Sequence, residues 1–130
     1  MINWGIIGYG RMGKTFAQCF KKVKDDYNLV GISSKSNFND ENKFFKNYDE
    51  LINSSKIDAI YISTLNNTHL DIIKLCAKNK KNILCEKPFC LNSIEALELK
   101  KIIENSGVKF FEAIAYLSHP QTYTLLNLIN

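Results

Sequence analysis

The sequence has no apolar run approaching the ~18 residues that a membrane span needs. Its opening, Met1-Ile2-Asn3-Trp4-Gly5-Ile6-Ile7, puts no basic stretch ahead of an apolar one, so neither a membrane anchor nor a secretory signal is expected. Clustered metal ligands are also missing. The only histidines, His69 and His119, lie far apart, and no metal site is expected. Cys19, Cys76, Cys85 and Cys90 show no Cys-x-x-Cys spacing. Their even number leaves disulfides open, but free, mostly buried thiols in a cytoplasmic chain are the expectation. There is no low-complexity segment, no internal repeat and no bulk excess of one charge: 17 Lys and Arg against 13 Asp and Glu leave +4. The lysines gather near the ends of proposed helices, where they complement the helix dipole, and a nucleic-acid surface is not expected.

What is present is an ordinary globular composition, 45% hydrophobic and 23% charged, in 130 residues, enough for one domain with a real core. Short apolar strands alternate with amphipathic helices. Strands are predicted at Asn3 to Ile7, Tyr27 to Ser33, Lys46 to Tyr48, Asp58 to Ile62, Asn82 to Cys85 and Lys109 to Ala113. Helices are predicted at Arg11 to Lys24, Asn39 to Phe45, Asp49 to Asn53, His69 to Lys78, Asn92 to Gly107 and from Pro120 onward. In the first helix Phe16, Cys19, Phe20 and Val23 form one apolar stripe. Asn92-Ser93-Ile94-Glu95 resembles a capping box, and Gly107 suits a helix stop. The alternation implies an α/β fold: a Rossmann doubly wound parallel sheet in three layers, α/β/α, with strand order 3-2-1-4-5-6.

Between the first strand and the first helix stands Gly8-Tyr9-Gly10-Arg11-Met12-Gly13, a Gly-x-Gly-x-x-Gly fingerprint. The first glycine suits a tight turn, the second close approach of a pyrophosphate, and the third close packing of helix on strand. The anion would sit on the helix N-terminal amides, including those of Arg11 and Met12. The alternative is a tight strand–helix turn without a ligand. In a typical NAD site an acidic residue ends the second strand and holds the ribose hydroxyls. Here Gly31-Ile32-Ser33-Ser34-Lys35-Ser36 contains none. Small hydroxyls and a lysine suit an additional 2′-phosphate, which favours NADP over NAD, unless the stretch is only a polar turn. Cys85-Glu86-Lys87-Pro88 follows a strand whose carboxyl end should face the ligand crevice, where Lys87 can exchange a proton with a substrate hydroxyl. On spacing alone Glu-Lys-Pro is also a common surface turn. Glu86 is a candidate to anchor the ammonium or the adjoining backbone.

The fingerprint, Thr64-Leu65-Asn66-Asn67-Thr68-His69, Glu86-Lys87-Pro88 and Glu112-Ala113 occur in the order and spacing of one family. The chain resembles the N-terminal NAD(P)-binding domain of the glucose–fructose oxidoreductase, inositol dehydrogenase and rhizopine-catabolism (Gfo/Idh/MocA) family. Cys85 to Pro88 and Phe111 to Ile114 especially resemble its dihydrodiol dehydrogenase-like branch. The resemblance implies that Gly8, Gly10 and Gly13 hold the pyrophosphate and that Ser33, Ser34 and Lys35 lie at the adenosine ribose. It also implies that Thr64, Asn66 and His69 line the cofactor cleft, that Glu86 contacts the nicotinamide side, and that Lys87 is the catalytic lysine. For His69 alone, a helix-start residue capping backbone is the simpler alternative. The partners implied are a nicotinamide dinucleotide and a small sugar, polyol or cyclic diol, with hydride moving at a carbon bearing a hydroxyl.

The chain departs from the family pattern in two places: Leu65 stands where Thr-Pro-Asn has proline, and Tyr116-Leu117-Ser118-His119-Pro120 lacks the arginine of Tyr-Arg-x-His-Pro. Family members also continue into a second domain, a large open sheet with an Asp-x-x-x-His pair. Residues 1–119 therefore read as the Rossmann domain, and 120–130 as the start of a helix leading to a missing substrate domain. Apolar surface left uncovered would favour self-association. The rival readings are a non-catalytic dinucleotide-binding module and a fragment without turnover of its own.

Overall fold

In a computed structural model, which describes residues 1–23, 25–35 and 44–129, five parallel strands form one sheet. They are β1 (Ile2–Ile7), β2 (Tyr27–Ser33), β3 (Ala59–Ile62), β4 (Asn82–Glu86) and β5 (Phe110–Ala113), in the order β2-β1-β3-β4-β5. The helices are α1 (Arg11–Cys19), α2 (Tyr48–Asn53), α3 (His69–Lys78), α4 (Ser93–Ser106) and α5 (Pro120–Ile129), with 3-10 turns at Asn66–Thr68 and Ala115–Ser118.

Side-chain alternation divides the core between the two faces of the sheet. Ile7, Ile60, Ile62, Ile83 and Cys85 point to one face and are covered by Leu51 and Ile52 of α2, Ile72, Ile73 and Cys76 of α3 and Leu99 of α4. Ile6, Ile32 and Tyr61 point to the other, where Phe16 of α1 and Phe20 just beyond its end close over them with Trp4. The Phe16 ring stacks on Tyr61 at a centroid distance of 4.0 Å, and Trp4 meets Phe16 edge-on at 5.5 Å. Strands buried on both faces are what a parallel sheet with helices on each side requires. The expected three-layer Rossmann architecture is therefore present.

The predicted strand order differs in one respect. The strand expected at Lys46 to Tyr48 would have made a sixth, outside β2. Only a single parallel bridge, Ile32 with Phe44, occupies that edge among the described residues, with Phe45 N–H donating to Ile32 O at 2.8 Å. The strand cannot continue because the next residues already start a helix. Asn47 Oδ1 accepts from Glu50 N–H at 2.8 Å and Glu50 Oε2 accepts from Lys46 N–H at 3.0 Å. This reciprocal cap commits Tyr48 to α2. The helix expected over Asn39 to Phe45 falls mostly on 36–43, outside the described residues, and Phe44 and Phe45 are not helical. The first helix also stops short of Lys24, at Cys19, where N–H groups of Lys21 and Lys22 reach back three residues to Gln18 O and Cys19 O. The capping box at α4 is formed: Asn92 Oδ1 accepts from Glu95 N–H at 3.0 Å, and Gly107 ends the helix at φ +70°.

All four cysteines are free thiols, Cys76 and Cys85 buried and Cys19 exposed. Burial pushes the Cys76 thiol up to about 12, and burial together with Glu86 and Glu112 raises Cys85 as well. Since the thiolate is the reactive form, Cys19 is expected to be modified first by a thiol reagent at pH 8. Cys76 and Cys85 should react only when the fold opens. Mass spectrometry of partially labelled protein checks this order, and early labelling of Cys76 would contradict the packing described.

Candidate functional site

The strands all end at one edge, and their register aligns the residues that follow. Ile7 pairs with Ser33 and with Ile62, Ile62 pairs with Cys85, and Glu86 pairs with Ala113. Gly8 leaves β1 at φ +91°, a conformation that L side chains rarely adopt, and a Cβ there would stand 2.7 Å from Ser63 O. A Cβ on Gly13 would collide with the Gly8 carbonyl. These two glycines let the β1 exit, the β3 exit and α1 meet. Ser63 completes the junction: its N–H donates to Ile7 O at 2.9 Å and its hydroxyl to Gly8 O at 2.8 Å. Sequence reasoning passed over Ser63. The available signal was a small hydroxyl immediately after the β3 apolar run.

Gly10 is different. A Cβ there would meet nothing within 4 Å. It precedes a helix with no side-chain cap and no acidic residue in its first turn. The amides of Arg11, Met12 and Gly13 are first-turn donors without intrahelical acceptors, and Arg11 and Met12 are exposed. Open space above uncapped, dipole-positive amides fits a diphosphate.

At the end of β2, Ser33 O accepts from Gly8 N–H at 2.9 Å. Ser33 is fully buried, and its Oγ has no hydrogen-bond partner among the described residues. Ser34 is half-buried and Lys35 exposed beside it, while Ser36 lies outside the described residues. After β3, Thr68 Oγ1 lies 2.7 Å from both Thr64 Oγ1 and Leu65 O in a tight turn; its one hydrogen goes to the carbonyl, which leaves it to accept from the Thr64 hydroxyl. Asn66 and Leu65 face solvent. His69 opens α3 and is fully buried beneath this wall. Its Nδ1 lies 2.9 Å from Pro88 O and its Nε2 3.3 Å from Thr64 O. The imidazole thus spans the loops after β3 and β4 from below.

Glu86, the last residue of β4, turns toward the α1 face and accepts from the Tyr61 hydroxyl at 2.5 Å. Burial, and then the Glu86 carboxylate, raises the Tyr61 phenol well above its ordinary value. It therefore stays protonated as a donor. Among the described residues Glu86 makes no ion pair with Lys87; Tyr61 is its partner. Lys87 is exposed on the turn that follows, and its peptide bond to Pro88 is cis. Phe89 N–H then donates to Glu112 Oε1 at 3.1 Å. An open cleft of about 430 Å³ lies between α1 and the β5 exit, lined by Met12, Phe16, Tyr61, Glu86, Phe111 and Ala113. The fingerprint, Thr64, Asn66, Glu86 and Lys87 therefore share one edge, and His69 lies under it. His119 stands apart on the surface, where its Nδ1 accepts from Gln121 N–H at 3.1 Å. Among the described residues no cluster of potential metal ligands occurs, and no helix is long and apolar enough to cross a membrane.

Residues 2–114 match the model of the Gfo/Idh/MocA family, described as an oxidoreductase family with an NAD-binding Rossmann fold. A trans-1,2-dihydrobenzene-1,2-diol dehydrogenase from Xenopus laevis is 29% identical over 120 residues, covering 85% of this chain and 36% of that protein. A myo-inositol 2-dehydrogenase from Thermotoga maritima is 37% identical over 97 residues, covering 68% of this chain and 28% of that protein. Among solved structures, a probable dehydrogenase from Thermotoga maritima superposes with a TM-score of 0.80 at 31% identity, over 86% of this chain and 36% of that one. The chain thus spans about a third of the length of the relatives it matches. The aligned strand ends, the glycine junction and a family match over most of the chain agree: this protein belongs to the Gfo/Idh/MocA oxidoreductases and carries their NAD-binding Rossmann domain.

Proposed function

We propose that this chain binds NADP(H) in preference to NAD(H) and forms the cofactor-holding part of an enzyme acting on a hydroxyl-bearing carbon of a sugar, polyol or cyclic diol. The observation that carries the reading is the open space over Gly10 above the uncapped first turn of α1. When bound, the nicotinamide supplies or takes up hydride. The chain's own residues provide the rest. Gly8 makes the turn, and the amides of Arg11, Met12 and Gly13 receive the pyrophosphate. Ser33, Ser34 and Lys35 receive the adenosine ribose, with Lys35 aimed at a 2′-phosphate. Thr64 and Asn66 form the cleft wall, which His69 supports through Thr64 and Pro88. Glu86, oriented by Tyr61, faces the nicotinamide side. Lys87 holds or moves a proton at the substrate oxygen.

Residues 1–119 are the dinucleotide-binding unit of this reading, and 120–130 lead away from it. None of the α5 side chains is buried, and Leu117, Leu125 and Leu126 are exposed. Such surface favours self-association of the isolated chain. Four free thiols suit a reducing compartment such as the cytoplasm.

Gly10→Val should abolish dinucleotide binding while leaving the far-ultraviolet spectrum and the unfolding midpoint nearly unchanged, because its side chain enters the pyrophosphate space and no protein atom. A folded variant with unaltered affinity would remove the basis of the assignment. Lys35→Ala should weaken NADP(H) more than NAD(H), by about 1.5–3 kcal/mol of charged hydrogen bond. Calorimetric titration with each cofactor tests this, and equal losses would leave Lys35 as a bystander. Purified 1–130 protein should bind cofactor without producing NAD(P)H across a panel of polyols, since the cleft is open to water and offers few groups to orient a substrate. Robust turnover would mean that a complete active site assembles within these residues or between copies of them.

A further inference from the structure

The turn after β4 is tied down on both flanks. β4 lies between β3 and β5 in the sheet. From the β3 side, buried His69 reaches Pro88 O at 2.9 Å. From the β5 side, Glu112 Oε1 accepts from Phe89 N–H at 3.1 Å. One residue before Lys87, Glu86 is fixed to Tyr61. Residues 86, 88 and 89 are therefore each anchored to a different element, while Lys87 between them is exposed.

Glu112 is half-buried on β5. It sits beneath the turn close enough to Cys85 and Cys90 to raise both thiols. Nearby, the Phe89 and Phe110 rings meet edge-on at 5.4 Å. Packing alone would be served by an apolar residue. What the carboxylate adds is a charge-assisted acceptor for one backbone N–H, stronger and more directional than a neutral one. Without it, the turn is held at Pro88 O alone on its far side and can pivot there. A lysine side chain has many rotamers, so the only lasting control over its ammonium is the direction in which its backbone launches it.

We propose that Glu112 is a positioning residue: through Phe89 N–H it fixes the turn so that Lys87 is launched over the cofactor cleft. This rests on the reading of Lys87 as the group beside cofactor and substrate.

The test is competitive acetylation of lysines in the 130-residue protein, with and without saturating NADP+, quantified by mass spectrometry with exposed Lys100 as internal reference. In the unaltered protein NADP+ should slow acetylation of Lys87 about fivefold or more. Glu112→Ala should reduce that protection to less than about twofold, with NADP+ affinity by calorimetry changed less than about threefold. Glu112→Gln keeps an acceptor oxygen and should restore most of the protection. Glu112→Asp keeps the charge but withdraws the oxygens by one methylene, and should behave as the alanine variant does. If the alanine variant does not fold, the glutamine and aspartate variants decide between bond and charge. Full protection in Glu112→Ala or Glu112→Asp would overturn the proposal, as would loss of protection in Glu112→Gln. If NADP+ binds but fails to protect Lys87 in the unaltered protein, the placement of Lys87 beside the cofactor fails first, and the role given to Glu112 falls with it. A Phe89 amide proton resonance that does not move in Glu112→Ala would show that the hydrogen bond itself is not made in solution.

Discussion

The close meeting of the β1 and β3 exits is the constraint on which the rest of the molecule depends. Gly8 and Gly13 are glycine because Ser63 O, and then the Gly8 carbonyl itself, occupy the places of their side chains. That contact sets α1 down on the sheet at one height. From there a chain of contacts runs outward: Phe16 of α1 stacks on Tyr61 of β3, and the Tyr61 hydroxyl holds Glu86 at the end of β4. The fingerprint glycines thus act beyond their own turn. Through one helix and two aromatic rings they orient a carboxylate two strands away from β1 in the sheet order.

Much of this was legible in the sequence, and what was not has physical causes. Strands buried on both faces announce themselves as apolar runs, so β1 to β5 fall where the apolar runs lie. The Asn92 cap and the Gly107 stop were readable because each is a local device, complete within a few residues. The extra edge strand was misread because Asn47 looked like part of an extended piece, whereas its amide oxygen already caps Glu50 and opens α2. The first helix was drawn too long because its apolar stripe continues through Val23, although the backbone leaves the helix at Phe20. Periodicity records which side chains want cover and is silent about whether the backbone between them is still helical.

The site residues divide in the same way. The glycines were legible because their role is steric and local. Tyr61 and Ser63 were not singled out, and Glu112 was read only as part of a family motif, because each acts across the sheet through a partner distant in sequence: Glu86, Gly8 and Phe89. His69 was singled out as a wall of the cleft. It is fully buried, with Nδ1 2.9 Å from Pro88 O and Nε2 3.3 Å from Thr64 O, and the neutral ring can donate to one of these backbone carbonyls, as its position at a helix start allows.

The two edges of the sheet differ in how far their polar groups are met from within the protein. At the N-terminal edge the polar groups satisfy one another. Asn3 N–H donates to Asp58 Oδ2 and Asp58 N–H to Asn3 O, at 2.9 and 2.8 Å. Lys109 N–H donates to Asn82 Oδ1 at 3.0 Å, and the Lys81 ammonium donates to Ser54 O and Ile57 O at 2.8 and 2.7 Å. At the C-terminal edge the balance is left open. The first turn of α1 has no side-chain cap, and the Ser33 hydroxyl is buried without a partner among the described residues. A buried, unmet polar group costs about 1–3 kcal/mol, which a fold selected for stability alone would remove by substitution to alanine. Parallel strands point all their carboxyl ends to this edge, so the topology that stitches one side closed also gathers the unmet donors on the other.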